Sequence, residues 1–332
     1  MKAISTVIAS ILMLMIVIAL GGTTYLYISG TFTSKTATAF EIIDEVNGTV
    51  TIRNSGTETI TSFSSVTLDG NPVSIAVVPN IDELVAYWSF NDGDGTVAID
   101  SSDNGNDGTL VNSPAWTTGK YGNAVDFAPE VEDYVEVADA TSLDFGNRPF
   151  TIEVVVYPQS FTKETVIFYK RTNNLGNAEQ TGYMLFITTA GSVNMNVNQN
   201  PDVQSARTGS VIQPNTWYHI VGVVNGANSK VYVNGEDRTS ANDIDGSLNT
   251  DTIVNGFVGY GNHINHESDA KIDELRIYNR ALSENEIQQL YLGLVAPGQL
   301  AKVKPLTPLS KGTHALRLCT SSICNTAILT IV

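Results

Sequence analysis

The chain begins with a continuous apolar segment, and the residues after it alternate between apolar and polar positions. No charged residue lies between Ala3 and Ser34, a run of 32 residues. An α-helix needs about 20 apolar residues to cross the hydrocarbon core of a bilayer, so this run is long enough to span one. The pattern therefore predicts a hydrophobic helix over residues 4–34.

A helix that is apolar on every face needs lipid or other helices around it. At about 1.5 Å per residue the predicted helix is about 46 Å long, which exceeds a bilayer core of about 30 Å. The surplus favours a bundle of helices. The alternatives are a single retained membrane anchor and a cleaved secretory signal, and the length of the run and the lone basic residue before it, Lys2, argue against the signal.

Two short regions on either side of a long central block show period-2 alternation. Residues 35–82 contain four such runs, separated by turn sequences such as Asp69-Gly70. Residues 314–332 contain two more, and residues 303–312 are predicted to be a loop that leads into them. Because either region alone would leave one sheet face in water, we predict that 35–82 and 296–332 form one small β-sandwich.

The central block, residues 83–295, is also rich in short strand-like runs. Gly, Asn, Asp and Pro separate these runs, a pattern typical of a two-sheet jelly roll. One helix is predicted near the end of the block, where Ser283 and Glu286 have the spacing of a capping box. Pro79 and Pro297 lie at the two boundaries of the block, which we therefore predict to be a domain inserted into the β-sandwich.

The negative charge of the chain is concentrated in the central block. The formal net charge is −16, and residues 83–295 carry 28 of the 34 acidic and 11 of the 18 basic side chains. Such a block repels phosphates, so nucleic acid is not an expected partner. Divalent cations become candidate ligands.

The two cysteines lie outside the central block. Cys319 and Cys324 sit in two alternating runs joined by a short turn, which predicts a disulfide across a hairpin; two unpaired buried thiols are the alternative. Lys2 marks the short end of the chain as cytoplasmic, so the rest would lie outside the membrane, where a disulfide is permitted. Asn47 begins a glycosylation sequon on a predicted turn.

Calcium is the ligand that the acidic residues favour most. Asn91, Asp92 and Asp94 offer oxygen donors in a glycine-rich turn, as a hard cation requires. Asp273 opens a predicted strand, where alternation places it on the same face as Leu275. The alternative is that these residues only form turns and solvated charge.

Two further patterns bear on chemistry. Glycoside hydrolysis needs two suitably spaced carboxylates, and the best candidate strand carries only Glu153, so no catalytic residue is predicted. A carbohydrate groove would use aromatic faces beside Asn and Asp side chains, and most aromatic residues of a jelly roll are expected in its core. The available aromatic residues are Tyr169, Tyr183, Trp217, Tyr218 and Tyr260.

The apolar segment carries a family resemblance. The stretch KAISTVIASILMLMIVIALGGTTYLYISG resembles the class III signal and N-terminal helix of archaeal type IV pilins and archaellins, and the strands after it resemble their β-sandwich head. The resemblance implies cleavage between Ala3 and Ile4, which removes a leader of residues 1–3. It also implies a membrane-inserted precursor whose helices pack with those of other copies in a filament core.

The central block resembles a second family. The stretches LVAYWSFNDGDG, WYHIVGVVNG and KIDELRIYNRALSENEIQQLY are similar to the laminin-G-like, concanavalin-type jelly roll in its lectin and glucanase form. The resemblance implies that the first and last strands pair near a structural calcium, which would bring Asp273 to the turn at 91–94. The fold hosts lectin-like modules, adhesins and hydrolases, so it does not choose a function.

Together these observations predict a structural, non-enzymatic protein. The first hypothesis is a subunit of an extracellular type IV pilus-like filament that assembles from its own copies and projects the inserted domain for adhesion or for binding glycans or other surface ligands. The alternative is a singly anchored extracellular sugar-binding protein. An archaellum filament subunit is less favoured because the insert is bulky.

Overall fold

The fold is known from a computed structural model of the chain. It describes residues 37–46, 48–172, 181–199, 202–245, 248–261, 268–307 and 309–331. The predicted leader, the predicted 4–34 helix, the Ala3–Ile4 cleavage position and the Asn47 sequon lie outside these residues. Among the helices within them, none combines the length and the apolar character needed to span a bilayer.

The chain divides into two compact units, one of which is discontinuous. The discontinuous unit ends its first part at Asn80 and resumes at Gly293, and the second unit is Ile81–Leu292. The first part contains β1 (Phe40–Val46), β2 (Thr49–Asn54), β3 (Ser65–Leu68), β4 (Asn71–Pro72) and β5 (Ile75–Pro79). The second unit contains β6 (Leu84–Trp88), β7 (Val97–Ala98), β8 (Gly108–Val111), β9 (Ala115–Thr118), β10 (Asn123–Phe127), β11 (Tyr134–Val137), a 3₁₀ turn (Thr141–Leu143), β12 (Phe150–Pro158), β13 (Thr165–Arg171), β14 (Gly182–Ile187), β15 (Ser192–Gln199), β16 (Asp202–Ser210), β17 (Tyr218–Val224), β18 (Lys230–Val233), β19 (Glu236–Asp237), β20 (Thr239–Asn242), β21 (Gly256–Val258), β22 (Ala270–Tyr278) and α1 (Glu284–Leu292). The resumed part contains β23 (Leu300–Pro305), β24 (Gly312–Cys319) and β25 (Cys324–Ile331).

The discontinuous unit is a β-sandwich of two four-stranded antiparallel sheets. The strand orders are β1-β2-β23-β5 and β25-β24-β3-β4, so each sheet combines strands from both parts of the unit. Side chains from both sheets fill one core, among them Val50, Val303, Leu316 and Leu329. Because neither part can bury this apolar surface alone, the two parts fold as one domain.

One strand of the sandwich falls partly where the sequence predicted a loop. The loop was expected over residues 303–312, but β23 extends to Pro305 and lies between β2 and β5, with Val303 opposite both Val50 and Val77. Ala301 and Val303 point into the core. The prediction was wrong because proline is compatible with the end of this strand: the pairing with β2 ends at Val303, so Pro305 has a neighbouring strand only on the β5 side.

The last two strands form the predicted disulfide-linked hairpin. Cys319 and Cys324 are directly opposite in the register of β24 and β25, and their sulfur atoms are bonded at 2.05 Å. The disulfide prediction is confirmed.

The second unit is the predicted two-sheet jelly roll. One sheet has the order β19-β18-β17-β12-β22-β10-β9, with β6 also paired to β22, and the other has the order β20-β16-β15-β14-β13-β21-β11-β8-β7. Large apolar side chains fill the space between them, for example Trp88, Phe150, Phe168 and Ile277, all fully buried. Each strand gives one face to this core, which leaves the outer face of each sheet for other contacts.

Helix α1 packs on the outer face of the eight-stranded sheet. Ser283 and Glu286 form the predicted capping box, in which the Ser283 N–H donates to Glu286 Oε2 at 2.9 Å and the Glu286 N–H donates to Ser283 Oγ at 3.4 Å. Ile287 then reaches the buried cluster formed by Val221, Tyr232 and their neighbours.

A β-bulge in β22 changes which side chains face the core. The pairing of β12 with β22 shifts register between Glu153 and Val155, and Glu274 has a φ of 53°. Leu275 packs in the core between the sheets, whereas the Asp273 carboxylate accepts a hydrogen bond from the Tyr121 N–H on the outer side. The expectation that Asp273 and Leu275 share a face was wrong, because the extra residue of the bulge shifts the alternation of inward and outward side chains by one position.

Candidate functional site

The outer face of the nine-stranded sheet carries a group of aromatic side chains. The Tyr134 and Tyr260 rings stack with centroids 5.2 Å apart, and Phe257 lies 5.5 Å from Tyr134 and 6.3 Å from Tyr169. Tyr134, Phe257 and Tyr260 are partly exposed, whereas Tyr169 is buried beneath them. The group is therefore an apolar platform with an accessible upper surface.

Strand register creates this platform. Phe257 on β21 lies opposite Tyr169 on β13 and opposite Glu136 on β11. The neighbouring residues Phe168 and Val258 point into the core between the sheets, so Tyr169 and Phe257 must point outward.

Amide side chains lie on the same face, two strands away. In β15 the residues Val193, Met195 and Val197 are buried in the core, so the alternating Asn194 and Asn196 face outward. Asn196 is opposite Met184, which is in turn opposite Tyr169, and this order links the amides to the aromatic platform. We call the set Tyr134, Tyr169, Asn194, Asn196, Phe257 and Tyr260 the aromatic–amide face.

The polar groups of this face include amides and phenols. Asn196 is partly exposed, but its Oδ1 atom is buried and has no hydrogen-bond partner among the described residues. Burial raises the pKa of Tyr169, partly opposed by Arg171, and burial together with Glu136 raises the pKa of Tyr134. Both phenols therefore stay protonated near neutral pH and can donate as well as accept hydrogen bonds.

The five aromatic residues that the sequence makes available for a carbohydrate groove lie in different parts of the jelly roll. Tyr169 and Tyr260 belong to the aromatic–amide face. Tyr183 is fully buried between the sheets, where its hydroxyl donates to the Leu143 carbonyl at 2.9 Å, and Tyr218 packs against the same core. Trp217 lies on the opposite sheet. Tyr134 and Phe257 were missed, although the alternation in YVEV and GFV places each of them next to a buried valine, Val135 or Val258.

Two of the four residues predicted to bind calcium contact one turn. Asn91 Oδ1 accepts a hydrogen bond from the Asn123 N–H at 2.9 Å, and Asp273 Oδ2 accepts one from the Tyr121 N–H at 2.8 Å. Through these two hydrogen bonds, residues 119–123 link the segment after β6 to β22. This is the region where the resemblance places the calcium ion. The structure brings Asn91 and Asp273 to this turn by hydrogen bonds to its backbone.

Asp92 and Asp94 lie on the solvent side of the same segment. Asp92 Oδ2 accepts a long hydrogen bond of 3.3 Å from the Ile99 N–H, and burial, with added repulsion from Asp107 and Asp94, raises the pKa of Asp92. Within the described ranges no three His, Cys, Asp or Glu side chains are gathered closely enough to hold a metal ion. Calcium binding by Asn91, Asp92, Asp94 and Asp273 stays a prediction.

A buried charged cluster lies on the outer side of the eight-stranded sheet, and the sequence did not indicate it. Arg276 Nη1 donates to Glu153 Oε1 at 2.9 Å, His219 Nε2 lies 3.1 Å from the same oxygen, and the Tyr278 hydroxyl donates to Glu153 Oε2 at 2.9 Å. Arg276 also pairs with Glu274. No pattern along one strand could reveal these contacts, because the partners come from three strands.

The protonation states of this cluster follow from its contacts. Burial alone would raise the pKa of Glu153, but Arg276 and the hydrogen bonds from His219 and Tyr278 lower it overall. Burial lowers the pKa of Arg276, but the combined attraction of Glu153, Glu274 and the nearby tyrosines raises it well above its ordinary value. Glu153 is 1% exposed, so this carboxylate holds β12, β17 and β22 together beneath the surface.

Comparisons with known proteins agree with the fold of the second unit. Residues 129–288 match the model of the family described as the concanavalin A-like lectin/glucanases superfamily. The binding domain of Paraclostridial Mosquitocidal Protein 1 is 19% identical with a TM-score of 0.52, and the match covers 63% of this chain and 52% of that domain. This chain therefore spans about half the length of that solved structure.

Two other solved structures are similar at lower TM-scores. Domain 4 of AbnA, a GH43 extracellular arabinanase from Geobacillus stearothermophilus solved with arabinotriose, is 22% identical with a TM-score of 0.47, covering 63% of this chain and 98% of that one. The Trypanosoma rangeli sialidase is 18% identical with a TM-score of 0.48, covering 67% of this chain and 33% of that one. No curated protein matches the chain. The family model over residues 129–288 and the two-sheet topology together give the second unit a concanavalin A-like jelly-roll fold.

Proposed function

We propose that the concanavalin A-like jelly roll of this chain binds saccharides on its aromatic–amide face. The observation that carries the proposal is that Phe257 on β21 and Asn194 and Asn196 on β15 lie on one sheet face. They are three strands apart, about 14 Å at about 4.8 Å per strand, a distance that an oligosaccharide can span. A pyranose ring has an apolar face of C–H groups and a rim of hydroxyls. Aromatic rings can pack against the first, and amides can exchange hydrogen bonds with the second.

The family match supports saccharide binding, and the negative charge of the jelly roll indicates which class of saccharide to expect. The superfamily described by the matching model includes lectins. Residues 83–295 carry 28 acidic and 11 basic side chains, and this negative field opposes the approach of anionic sugars. We therefore expect neutral oligosaccharides to be preferred over uronic-acid or sulfated ones.

A glycan array tests the proposal. The full chain, purified in mild detergent, is applied as wild type and as Tyr260→Ala, Asn196→Ala and Asn104→Ala. Asn104 is an exposed loop residue whose side chain donates to Ser102 Oγ at 3.4 Å, which makes Asn104→Ala the matched control. We expect neutral glycans to bind, at least tenfold weaker binding by the first two variants, and no change in the control. No bound glycan, or equal binding by all four proteins, would refute the proposal.

The same array addresses the predicted calcium ion. Runs with calcium and with a chelator are compared for the wild type and for Asp273→Asn. If the ion stabilises the jelly roll through Asn91, Asp92, Asp94 and Asp273, chelation weakens binding by the wild type and lowers its melting temperature, while the variant is insensitive to calcium. Identical binding and melting under both conditions would exclude this role.

For the whole chain, the function we favour is that of an extracellular, membrane-anchored saccharide-binding protein. The uncharged run of 32 residues would supply the anchor, and the disulfide between Cys319 and Cys324 suits an oxidising exterior.

A filament subunit is the second candidate. It is favoured by the same uncharged run, which exceeds the length of one membrane span and directly precedes a β-sandwich. Electron microscopy of material shed from cells, together with the N-terminal residue of the mature protein, separates the two candidates. Filaments and a start at Ile4 support the subunit, whereas their absence and a retained Met1 support the anchor.

A further inference from the structure

We infer that the jelly roll carries a second saccharide site on the outer face of its other sheet. The site is a row of side chains across neighbouring strands. Asp126 on β10 is opposite Lys271 on β22, Lys271 is opposite Tyr157 on β12, and Trp217 comes directly before β17, whose first residue pairs with Val156. We call Asp126, Tyr157, Trp217 and Lys271 the aromatic–lysine row.

All four side chains face away from the space between the sheets. The neighbours Val125, Val156, Tyr218 and Ile272 contribute to the core between the sheets, so the alternate positions point outward. The outward direction of the row is therefore fixed by strand geometry.

The two aromatic rings of the row contribute to none of the hydrophobic clusters formed by the described residues. Trp88, by contrast, is fully buried, and Trp116 packs against the core. The Tyr157 and Trp217 centroids are 5.4 Å apart, the planes are inclined by 53°, and both rings are partly exposed. Large aromatic side chains that face solvent instead of the core are typical of binding surfaces.

The other end of the row supplies a donor and an acceptor. Lys271 Nζ lies 6.0 Å from the Tyr157 centroid and 4.0 Å from Asp126 Oδ2. Gln159 Nε2 donates to Asp126 Oδ1 at 2.7 Å and holds the carboxylate in place. The Lys271 and Asp126 side chains are 26% and 28% exposed, so a ligand can reach the ammonium and the second carboxylate oxygen together.

These features define the chemical class of the ligand. Two neighbouring hydroxyls of a pyranose can bind this pair, one donating to Asp126 and the other accepting from Lys271, while the C–H face lies on Trp217 and Tyr157. Asp269, whose carboxylate repels that of Asp126, adds negative charge beside the single lysine. The expected ligand of the aromatic–lysine row is therefore a neutral pyranoside with a vicinal diol.

The inference shares only its ligand class with the proposed function, because the two sites use different residues on opposite sheets. A module with both sites could bridge two glycan chains or bind one branched glycan at two points. Such bivalent attachment strengthens binding without any new contact.

Saturation-transfer NMR on the full chain in detergent tests the row. The probes are methyl β-glucopyranoside, which has vicinal hydroxyls, and its 3,4-dideoxy analogue, which lacks the diol at positions 3 and 4. Measurements in the Tyr260→Ala background remove the contribution of the aromatic–amide face. We expect a signal from the glucoside that falls at least fivefold on adding Trp217→Ala or Lys271→Met, and a similar loss with the dideoxy probe. Asn104→Ala is again the control, and unchanged circular dichroism shows that each variant is folded.

The outcomes distinguish the two sites. A wild-type signal that is abolished by Tyr260→Ala alone refutes the row and leaves the proposed function standing. A signal that survives Tyr260→Ala and disappears with Trp217→Ala supports the row, even when Tyr260→Ala does not alter glycan binding on the array. No signal from the wild type refutes the row directly. A dimer that Trp217→Ala converts to a monomer without changing the signal would also refute it, because the row would then be a contact between copies.

Discussion

The Glu153 carboxylate lies at the centre of a buried polar network on the eight-stranded sheet. It accepts hydrogen bonds from Arg276 and Tyr278 and contacts His219, and all four side chains are buried. Desolvating such charges is costly, so the cluster is tolerated only because each charge has a partner. Removing Glu153 therefore takes away one of the two carboxylates that compensate the buried Arg276 guanidinium, and only Glu274 is left.

We predict that Glu153→Ala destabilises the jelly roll by about 3–5 kcal/mol, because the Arg276 guanidinium keeps its charge and loses its principal partner. Urea unfolding followed by tryptophan fluorescence measures the change. Glu236→Ala is the matched control, since Glu236 pairs with Arg238 on the exposed surface and its loss should cost about 0–1 kcal/mol. Equal effects of the two substitutions would contradict the prediction.

A second residue-scale prediction concerns pH and the β-sandwich. His314 Nδ1 lies 2.8 Å from Asp69 Oδ2, and its Nε2 donates to the Ser310 carbonyl at 2.9 Å. The hydrogen bond to Asp69, and then that to Ser310, raise the pKa of His314 above 6.5. Hydrogen bonds from the Ala315 N–H and from His314 lower the pKa of Asp69 below 3.8.

The direction of the pH effect follows from these two shifts. The contribution of His314 is complete below its ordinary pKa and is lost as the pH rises through the raised value. The contribution of Asp69 is complete above its ordinary pKa and is lost as the pH falls through the lowered value. Melting temperatures of the wild type and His314→Gln should therefore differ most between about pH 4 and pH 6.5 and converge in alkaline solution. A constant difference from pH 5 to pH 9 would contradict this prediction.

At the scale of elements, alternation identified most strands and local spacing identified the helix start. The capping box at Ser283 and Glu286 needs only four consecutive residues, so it could be recognised without the fold. The central position of β23 could not, because its partners β2 and β5 come from the other part of the chain. The bulge at Glu274 could not be predicted from the sequence either, since it is defined by the register of β22 against β12.

The helix cap yields an element-scale prediction. Ser283→Ala removes the hydroxyl that accepts from the Glu286 N–H, and we expect a loss of about 1 kcal/mol in the unfolding free energy of the jelly roll. Thermal unfolding by circular dichroism measures the effect. Ser283→Asp, which keeps a capping oxygen, should stay close to the wild type, and an equal loss in both variants would show that the cap is not the cause.

At the scale of the whole molecule, the sandwich is continuous in space although it is interrupted in sequence. The Asn80 N–H donates to the Leu300 carbonyl at 2.8 Å, and Gly293 lies beside Val77, whose carbonyl oxygen would be 3.0 Å from an added Cβ. The positions at which the chain leaves and re-enters the sandwich, Asn80 and Gly293, therefore lie beside β23 and β5. Insertions are tolerated where chain ends emerge close together on a domain surface.

We predict that the sandwich folds without its insert. A chain that starts at residue 37 and replaces residues 81–292 with a short Gly-Ser linker should show β-sheet circular dichroism, the Cys319–Cys324 disulfide and a cooperative unfolding transition. Residues 81–292 alone serve as the companion protein and should unfold cooperatively as well. An unfolded shortened sandwich beside a folded jelly roll would refute the independence of the sandwich.

The sequence by itself determined the features that depend on neighbouring residues: the period-2 strands, the helix cap, the hairpin disulfide and the jelly-roll class of the acidic block. Tertiary structure decided which side chains meet. Glu153 and Arg276 are 123 positions apart, and Tyr134 reaches Tyr260 only because β11 and β21 are neighbours in one sheet. The physical reason is register: a shift of one residue reverses the face of every side chain that follows, and pairing between distant strands sets that register.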